Sequence, residues 1–211
     1  MLSTYDMHDC KTVKTPMDAH GLSTSMAPST PEEIAFMKTK PYINAVGSLM
    51  YLATSTRPDI AYAVGVLCRF NSNPGKAHWS AVQHLFRYLK GTLDYKLTYS
   101  PDPSGQLFTS YCDASHGDNP DSGRSTGGYI LKIGTGAVSW SSKLQSFVTL
   151  SSTEAEFVAA VDAGKEIIWL RQLLEELGFP STSASILNID NQSSLSVAKN
   201  PELLNSATKG G

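Results

Sequence analysis

Cysteine is scarce and scattered, with three in 211 residues, at Cys10, Cys68 and Cys112. An odd set spread this widely excludes the disulfide framework of small secreted domains and fits a reducing compartment. His8 lies close to Cys10 but has no second ligand pair, so no zinc-finger spacing is present. No apolar run is long enough to cross a bilayer. The opening Met1-Leu2-Ser3-Thr4-Tyr5-Asp6 lacks both the basic and the apolar stretches of a signal peptide. These absences point to an intracellular chain, cytoplasmic or nuclear, without membrane contact. Charge of one sign is missing too, with 17 Lys and Arg against 19 Asp and Glu. That near balance hides two biases. Residues 41–100 hold six bases against two acids, and residues 101–202 hold twelve acids against six bases. Such a split suits a protein that grips phosphate with one part and metal ions with the other, or one with two solvated surfaces of opposite bias.

What is there is enough apolar residue, 41%, to build one large domain or two small ones. Residues 1–41 are broken by Pro16, Pro28, Pro31 and Pro41 and read as an extended or loosely packed segment. Within it, Ser29-Thr30-Pro31-Glu32-Glu33 either opens a short helix running through Met37 or stays a polar linker. Residues 42–94 carry helical spacing in three runs: Ile43, Val46, Leu49, Met50 and Ala53; then Ile60, Ala63, Val64 and Leu67; then Trp79, Val82, Leu85, Phe86 and Leu89. Short connections make these a small helical bundle. Arg87 and Lys90 fall on its polar side, for phosphate contact or for plain solvation.

From Tyr95 the period changes to two. Strands are expected at 96–99, 107–113, 127–133 and 137–141, the last two as a hairpin around Gly134-Thr135-Gly136. A helix follows over roughly 152–177, stopped by Gly178 and Pro180. A strand at 185–189 and a short helix from Gln192 to Lys199 complete the pattern. A helical crossover into that last strand predicts an α/β fold with a mixed sheet: an antiparallel meander and one parallel pair.

Three acids stand in distinctive contexts. Asp113 and Asp190 close β-type runs, and parallel strands would bring both to one sheet edge, the usual ligand end of α/β sheets. At the helix start, Ser151 and Glu154 form a capping box, which gives Glu154 a structural task. Glu156 is rotated about 200° from it, among Ala155, Phe157, Val158 and Ala159, where a lone carboxylate is costly unless a cation pairs with it. Three carboxylates gathered this way suit divalent cations.

The motifs around these acids resemble those of copia-type LTR retrotransposon Pol polyproteins. Asp113-Ala114-Ser115, Ala155-Glu156-Phe157 and Asp190-Asn191-Gln192-Ser193-Ser194 are similar to three acidic motifs of their ribonuclease H domain. Asp9 to Pro16, Tyr42 to Leu52, Thr56 to Val64 and His84 to Thr92 resemble the part corresponding to the end of reverse transcriptase. The likeness extends over residues 5 to 202. It implies a helical connection or thumb-like region over 42–94 and an incomplete ribonuclease H-like sheet over 95–202, lacking its last strand and helix, with a divergent tail at 203–211. No adjacent Asp-Asp pair occurs, so the polymerase palm motif of the family is missing.

By the same resemblance, the inherited chemistry is two-metal hydrolysis of the RNA strand in an RNA–DNA hybrid. Asp113 would bridge two Mg²⁺ or Mn²⁺ ions, with Glu156 and Asp190 completing the spheres. The family's fourth carboxylate has no counterpart, and neither Asp118 nor Asp121 takes its place. Competing readings are an inactive remnant that binds nucleic acid or protein, and a connection module supporting the remainder of a reverse transcriptase. For nucleic-acid contact the candidates are Arg124, Ser125 and Thr126 in a loop of small residues, Lys143 and Gln145 after the strand of Trp140, and Asn191 in the third motif. His116, near Asp113, is either a proton shuttle or an ordinary loop histidine.

Overall fold

A computed structural model describes residues 1–18, 21–102, 105–181 and 183–199. The expected divergent tail at 203–211 lies outside the described residues. Two compact units result, Met1–Leu97 and Thr98 onward. Among the described residues no helix is long and apolar enough to cross a membrane.

The first unit is helical: α1 (Pro31–Lys38), α2 (Tyr42–Ser55), α3 (Ala61–Cys68) and α4 (Lys76–Gly91). α1 starts where the sequence predicts, with Pro31 in its first turn and the Thr30 hydroxyl accepting from the Glu33 N–H at 3.2 Å. In α2 the buried positions Tyr42, Ala45, Val46, Leu49 and Ala53 follow helical spacing. They meet Ile60, Val64, Leu67, Val82, Leu85 and Phe86 in one core. Fully burying a side chain of this size contributes about 1.5–3 kcal/mol.

The described residues up to 27 hold little regular structure, yet α4 hooks them by their backbone. Lys90 Nζ donates to the Cys10 carbonyl at 2.7 Å, and Arg87 Nε to that of Lys11 at 2.8 Å. His84 Nε2 bonds the Thr15 carbonyl at 2.9 Å, and His78 Nε2 that of Ser23 at 3.1 Å. Arg87 and Lys90 therefore have a third role, neither of the two weighed from sequence: they fasten a strap. His78 is fully buried, and its Nδ1 accepts from the Gly75 N–H at 2.8 Å, which makes it a neutral ring with the proton on Nε2. Gly75 matters here because a Cβ at this position would run into the Met26 carbonyl oxygen. Gly75→Ala is expected to lower stability by roughly 1–3 kcal/mol through overpacking of the added methyl on the Met26 main chain, checked by urea denaturation. An unchanged midpoint would mean that the strap yields without cost.

The second unit contains β1 (Thr109–Ser115), β2 (Thr126–Ile133), β3 (Gly136–Leu144), α5 (Ser152–Glu176), β4 (Leu187–Asn188) and α6 (Gln192–Lys199). Sheet order is β3-β2-β1-β4. β1–β2 and β2–β3 are antiparallel, and β1–β4 is parallel, as the helical crossover predicts. α5 lies on β1 and β2, with Leu131, Ile167, Leu170 and Leu174 in the core beneath it. Gly127 lets the helix come close: a Cβ there would sit 3.2 Å from the Ala159 Cβ.

Three expectations change. No strand forms at 96–99. Instead Thr98 to Ser100 braces the β2–β3 turn, with Thr135 N–H on the Ser100 carbonyl at 3.0 Å and the Tyr99 hydroxyl on that of Ala137 at 2.8 Å. β1 runs two residues further than predicted, so Asp113 lies inside the strand opposite Gly128. β4 is shorter than 185–189 because side chains replace part of its ladder. The Ser110 hydroxyl donates to the Ile186 carbonyl at 2.6 Å, and Asn188 Nδ2 to that of Ser110 at 2.9 Å.

Candidate metal centre

Parallel pairing of β1 with β4 places Asp113 and Asp190 at one end of the sheet, and the first turns of α5 deliver Glu156 to the same point. Ser151 caps that helix, its hydroxyl accepting from the Glu154 N–H at 3.1 Å. Glu154 Oε2 returns to the Leu150 N–H at 2.7 Å, one residue earlier than a standard capping box. Glu154 is thus occupied with the cap, which leaves Glu156 to face the strand.

Each of Asp113, Glu156 and Asp190 presents a carboxylate oxygen, and the three oxygens lie within 4.8 Å of one another. Asp113 and Asp190 are exposed, whereas Glu156 is only 5% exposed. The Ala114 N–H reaches two of the acids, Asp113 Oδ1 at 2.8 Å and Glu156 Oε1 at 3.2 Å. Glu156 Oε2 is buried and no donor reaches it while the carboxyl is ionised; protonated, the carboxyl bonds to Asp113. Burial pushes the Glu156 carboxyl up to about 7; the Ala114 N–H opposes this, and Asp113 and Asp190 add to the rise. Cys112 is pushed up to about 11 by burial and by the same three acids, so it stays a neutral thiol near pH 7 and is no nucleophile.

Acid clusters on surfaces are ordinary, but a buried, unpartnered carboxylate oxygen inside one demands an explanation. A hard divalent cation fits the donor set, since it takes oxygen ligands and removes the repulsion. The structure thus brings together the three acids predicted from sequence.

The candidate nucleic-acid contacts divide. Lys143 is exposed on β3, and Arg124 is half-buried just before β2. Ser125 is fully buried, and Thr126 is buried with its hydroxyl bonded to both Asp118 oxygens at 2.8 Å. Gln145 is 6% exposed and donates through Nε2 to the Ala155 carbonyl at 2.9 Å. Asn191 Oδ1 accepts from the Ser194 N–H at 3.0 Å and caps α6. Ser125, Thr126 and Gln145 therefore bond inward, because the loop around them closes on its own polar groups. His116 Nε2 bonds the Thr149 carbonyl at 3.1 Å. Thr149, 3% exposed, drew no attention in the sequence, where nothing separates it from the other hydroxyl residues before the cap.

Comparisons with known proteins agree with the motifs. The chain is 45% identical over 201 residues to the retrovirus-related Pol polyprotein from transposon TNT 1-94 of Nicotiana tabacum. That match takes in 95% of this chain and 15% of the relative. It is 38% identical over 188 residues to the retrovirus-related Pol polyprotein from transposon RE1 of Arabidopsis thaliana, covering 87% of this chain and 13% of the relative. A shorter relative, secreted RxLR effector protein 161 of Plasmopara viticola, is 46% identical over 134 residues, which is 64% of this chain and 94% of that protein. No family model and no solved structure matches the chain.

Proposed function

We propose that this chain, which belongs to the copia-type retrotransposon Pol polyprotein family, carries in its second unit a ribonuclease H-like centre that hydrolyses the RNA strand of an RNA–DNA hybrid. The observation that carries this reading is the buried, unpartnered Glu156 Oε2 within a cluster of three carboxylates. Asp113, Glu156 and Asp190 would hold Mg²⁺ or Mn²⁺. When bound, the ions supply Lewis-acid polarisation of the phosphate and an activated water.

The chain's own residues set the rest. The Ala114 N–H fixes Asp113 and Glu156 against each other from below. Asp113 and Asp190 face solvent, where a phosphodiester approaches. Lys143 sits in the row Ala114–Gly127–Lys143, two strands across from Ala114 and so about 10 Å away at ordinary strand spacing. From there it would meet a neighbouring phosphate, a contact that positions without reading sequence. The remainder of a reverse transcriptase is the expected partner for the helical unit.

The test is cutting of an RNA–DNA hybrid and of a DNA duplex, each with Mg²⁺, with Mn²⁺ and with chelator. Divalent-dependent cutting of RNA in the hybrid alone is expected, and its loss in Asp113→Asn. Cutting that survives Asp113→Asn sinks the assignment.

A further inference from the structure

We infer that a buried hydrogen-bond network centred on Ser125 and Thr149 sets where Glu156 stands relative to Asp113, so that Thr149 is a positioning residue of the metal centre; its metal arm rests on the reading proposed above. The network begins just beyond β1. Gly117, in a left-handed turn at φ 62°, donates its N–H to Ser125 Oγ at 3.0 Å. Ser125 Oγ in turn bonds Thr149 Oγ1 at 2.7 Å. Beside this link, His116 Nε2 bonds the Thr149 carbonyl at 3.1 Å. The turn after β1 is thereby tied twice to Thr149, which stands just before the cap of α5.

A second arm reaches into the helix. The Gln145 N–H donates to the Ser125 carbonyl at 2.8 Å, and its Nε2 donates to the Ala155 carbonyl at 2.9 Å. Ala155 adjoins Glu156. A carbonyl accepts only from a donor, so this bond fixes which way the Gln145 amide points, and its Oε1 is left buried without a partner. An orphaned acceptor is a cost that sheet packing alone does not require. Ser125, Thr149 and Gln145 are 0%, 3% and 6% exposed, so water cannot substitute for the bonds they make.

The two arms run from the residues following Asp113 to the residue preceding Glu156. Where they end, the Ala114 N–H bridges the two carboxylates. That amide is a direct reporter of the juncture, readable without any metal.

The experiment uses the full chain. Amide hydrogen exchange is followed by NMR in chelator, and thermal melts are run against a Mg²⁺ series. In Thr149→Val, which keeps shape and removes the hydroxyl, Ala114 is expected to exchange about tenfold faster while Leu131 in the same sheet is unchanged. The Mg²⁺ concentration giving half of the stabilisation should rise by about tenfold, as for residues that orient metal ligands. Thr149→Ser should restore both, and Ser125→Ala should reproduce the loss if the valine variant folds poorly. Ser139→Ala, which removes a 2.6 Å bond to Glu166 further along α5, should leave Ala114 and the Mg²⁺ midpoint alone.

Unchanged exchange at Ala114 in both variants overturns the proposal, as does faster exchange spread evenly over β1 and β2, or a serine variant that fails to rescue. Faster exchange confined to Ala114, in a protein whose wild type does not respond to Mg²⁺, would leave the positioning role standing and remove the metal reading.

Discussion

Glutamine in place of Glu156 should make the metal-free protein more stable at pH 8, by roughly 2–3 kcal/mol. Burial raises that carboxyl, and Asp113, through a hydrogen bond and its charge, and Asp190, through its charge, act in the same direction. A folded value of about 7 against an ordinary 4.5 corresponds to about 3 kcal/mol at most, at 1.36 kcal/mol per unit. Because the folded value is raised, the group's contribution is fully present below its unfolded value and is lost as pH climbs through about 7. Wild type in chelator should therefore lose stability between about pH 4.5 and 7 from this group, and Glu156→Gln should not. The substituted amide would keep an oxygen to accept from the Ala114 N–H and would carry no charge. With Mg²⁺ the gap should narrow. A three-carboxylate site is expected to bind in the millimolar range, with one well-occupied ion, so about 10 mM Mg²⁺ stabilises wild type by on the order of 1 kcal/mol. The variant should gain nothing. Melts at pH 5 and pH 8, with chelator and with Mg²⁺, decide the matter; a variant less stable than wild type in chelator at pH 8 would show that the Glu156 charge is already compensated.

Arg57→Ala is the second large effect, expected to cost the first unit roughly 1–3 kcal/mol. Arg57 grips Asp59 with two nitrogens, at 2.9 and 2.8 Å, and bonds Thr92 through its carbonyl at 3.2 Å and its hydroxyl at 2.6 Å. The Tyr88 hydroxyl donates to Asp59 at 2.9 Å, and the guanidinium lies over the rings of Tyr88 and Tyr95. Burial pushes Asp59 up, but the bonds from Arg57 and Tyr88 outweigh it and hold the carboxyl below its usual range. Removing the cation takes the bidentate partner from Asp59, which keeps the Tyr88 hydroxyl, and one of two donors from the Thr92 carbonyl, which keeps the Tyr95 N–H at 3.2 Å. Lysine should recover little, since an ammonium cannot bond both oxygens and stack on two rings. Urea titration followed by Trp79 fluorescence measures the loss, and a cost under about 1 kcal/mol would mean that the network is solvated rather than structural.

Much of this was legible in the residues because the signals are local. Pro31 after Thr30 marks α1, Ser151 marks the start of α5, and the alternation around Gly134 marks the hairpin, each through chemistry confined to a few neighbours. The three acids were legible because each lies within a few residues of an element's end or start, so topology converges them. Ser125, Thr126 and Gln145 misled for the opposite reason. Small polar residues around glycines look alike whether they face a phosphate or one another, and what decides is a partner far along the chain. Ser125 is settled by Thr149, 24 residues away, and the β1 register by pairing with β2. The expected strand at 96–99 failed similarly: its alternation is real, but the β2–β3 turn takes its backbone groups before another strand does.

The strap on α4 is bound in a way that has a consequence for how this protein varies. Hooks that take main-chain carbonyls read no side-chain alphabet, since every residue offers the same oxygen. Val13, Met17 and Leu22 pack on the core and Asp18 lies 3.4 Å from His84 Nδ1, but the hold on Lys11, Thr15 and Ser23 uses no side chain of theirs. Much of where the strap belongs is thus written in His78, His84, Arg87 and Lys90, on a different part of the chain from the part being held.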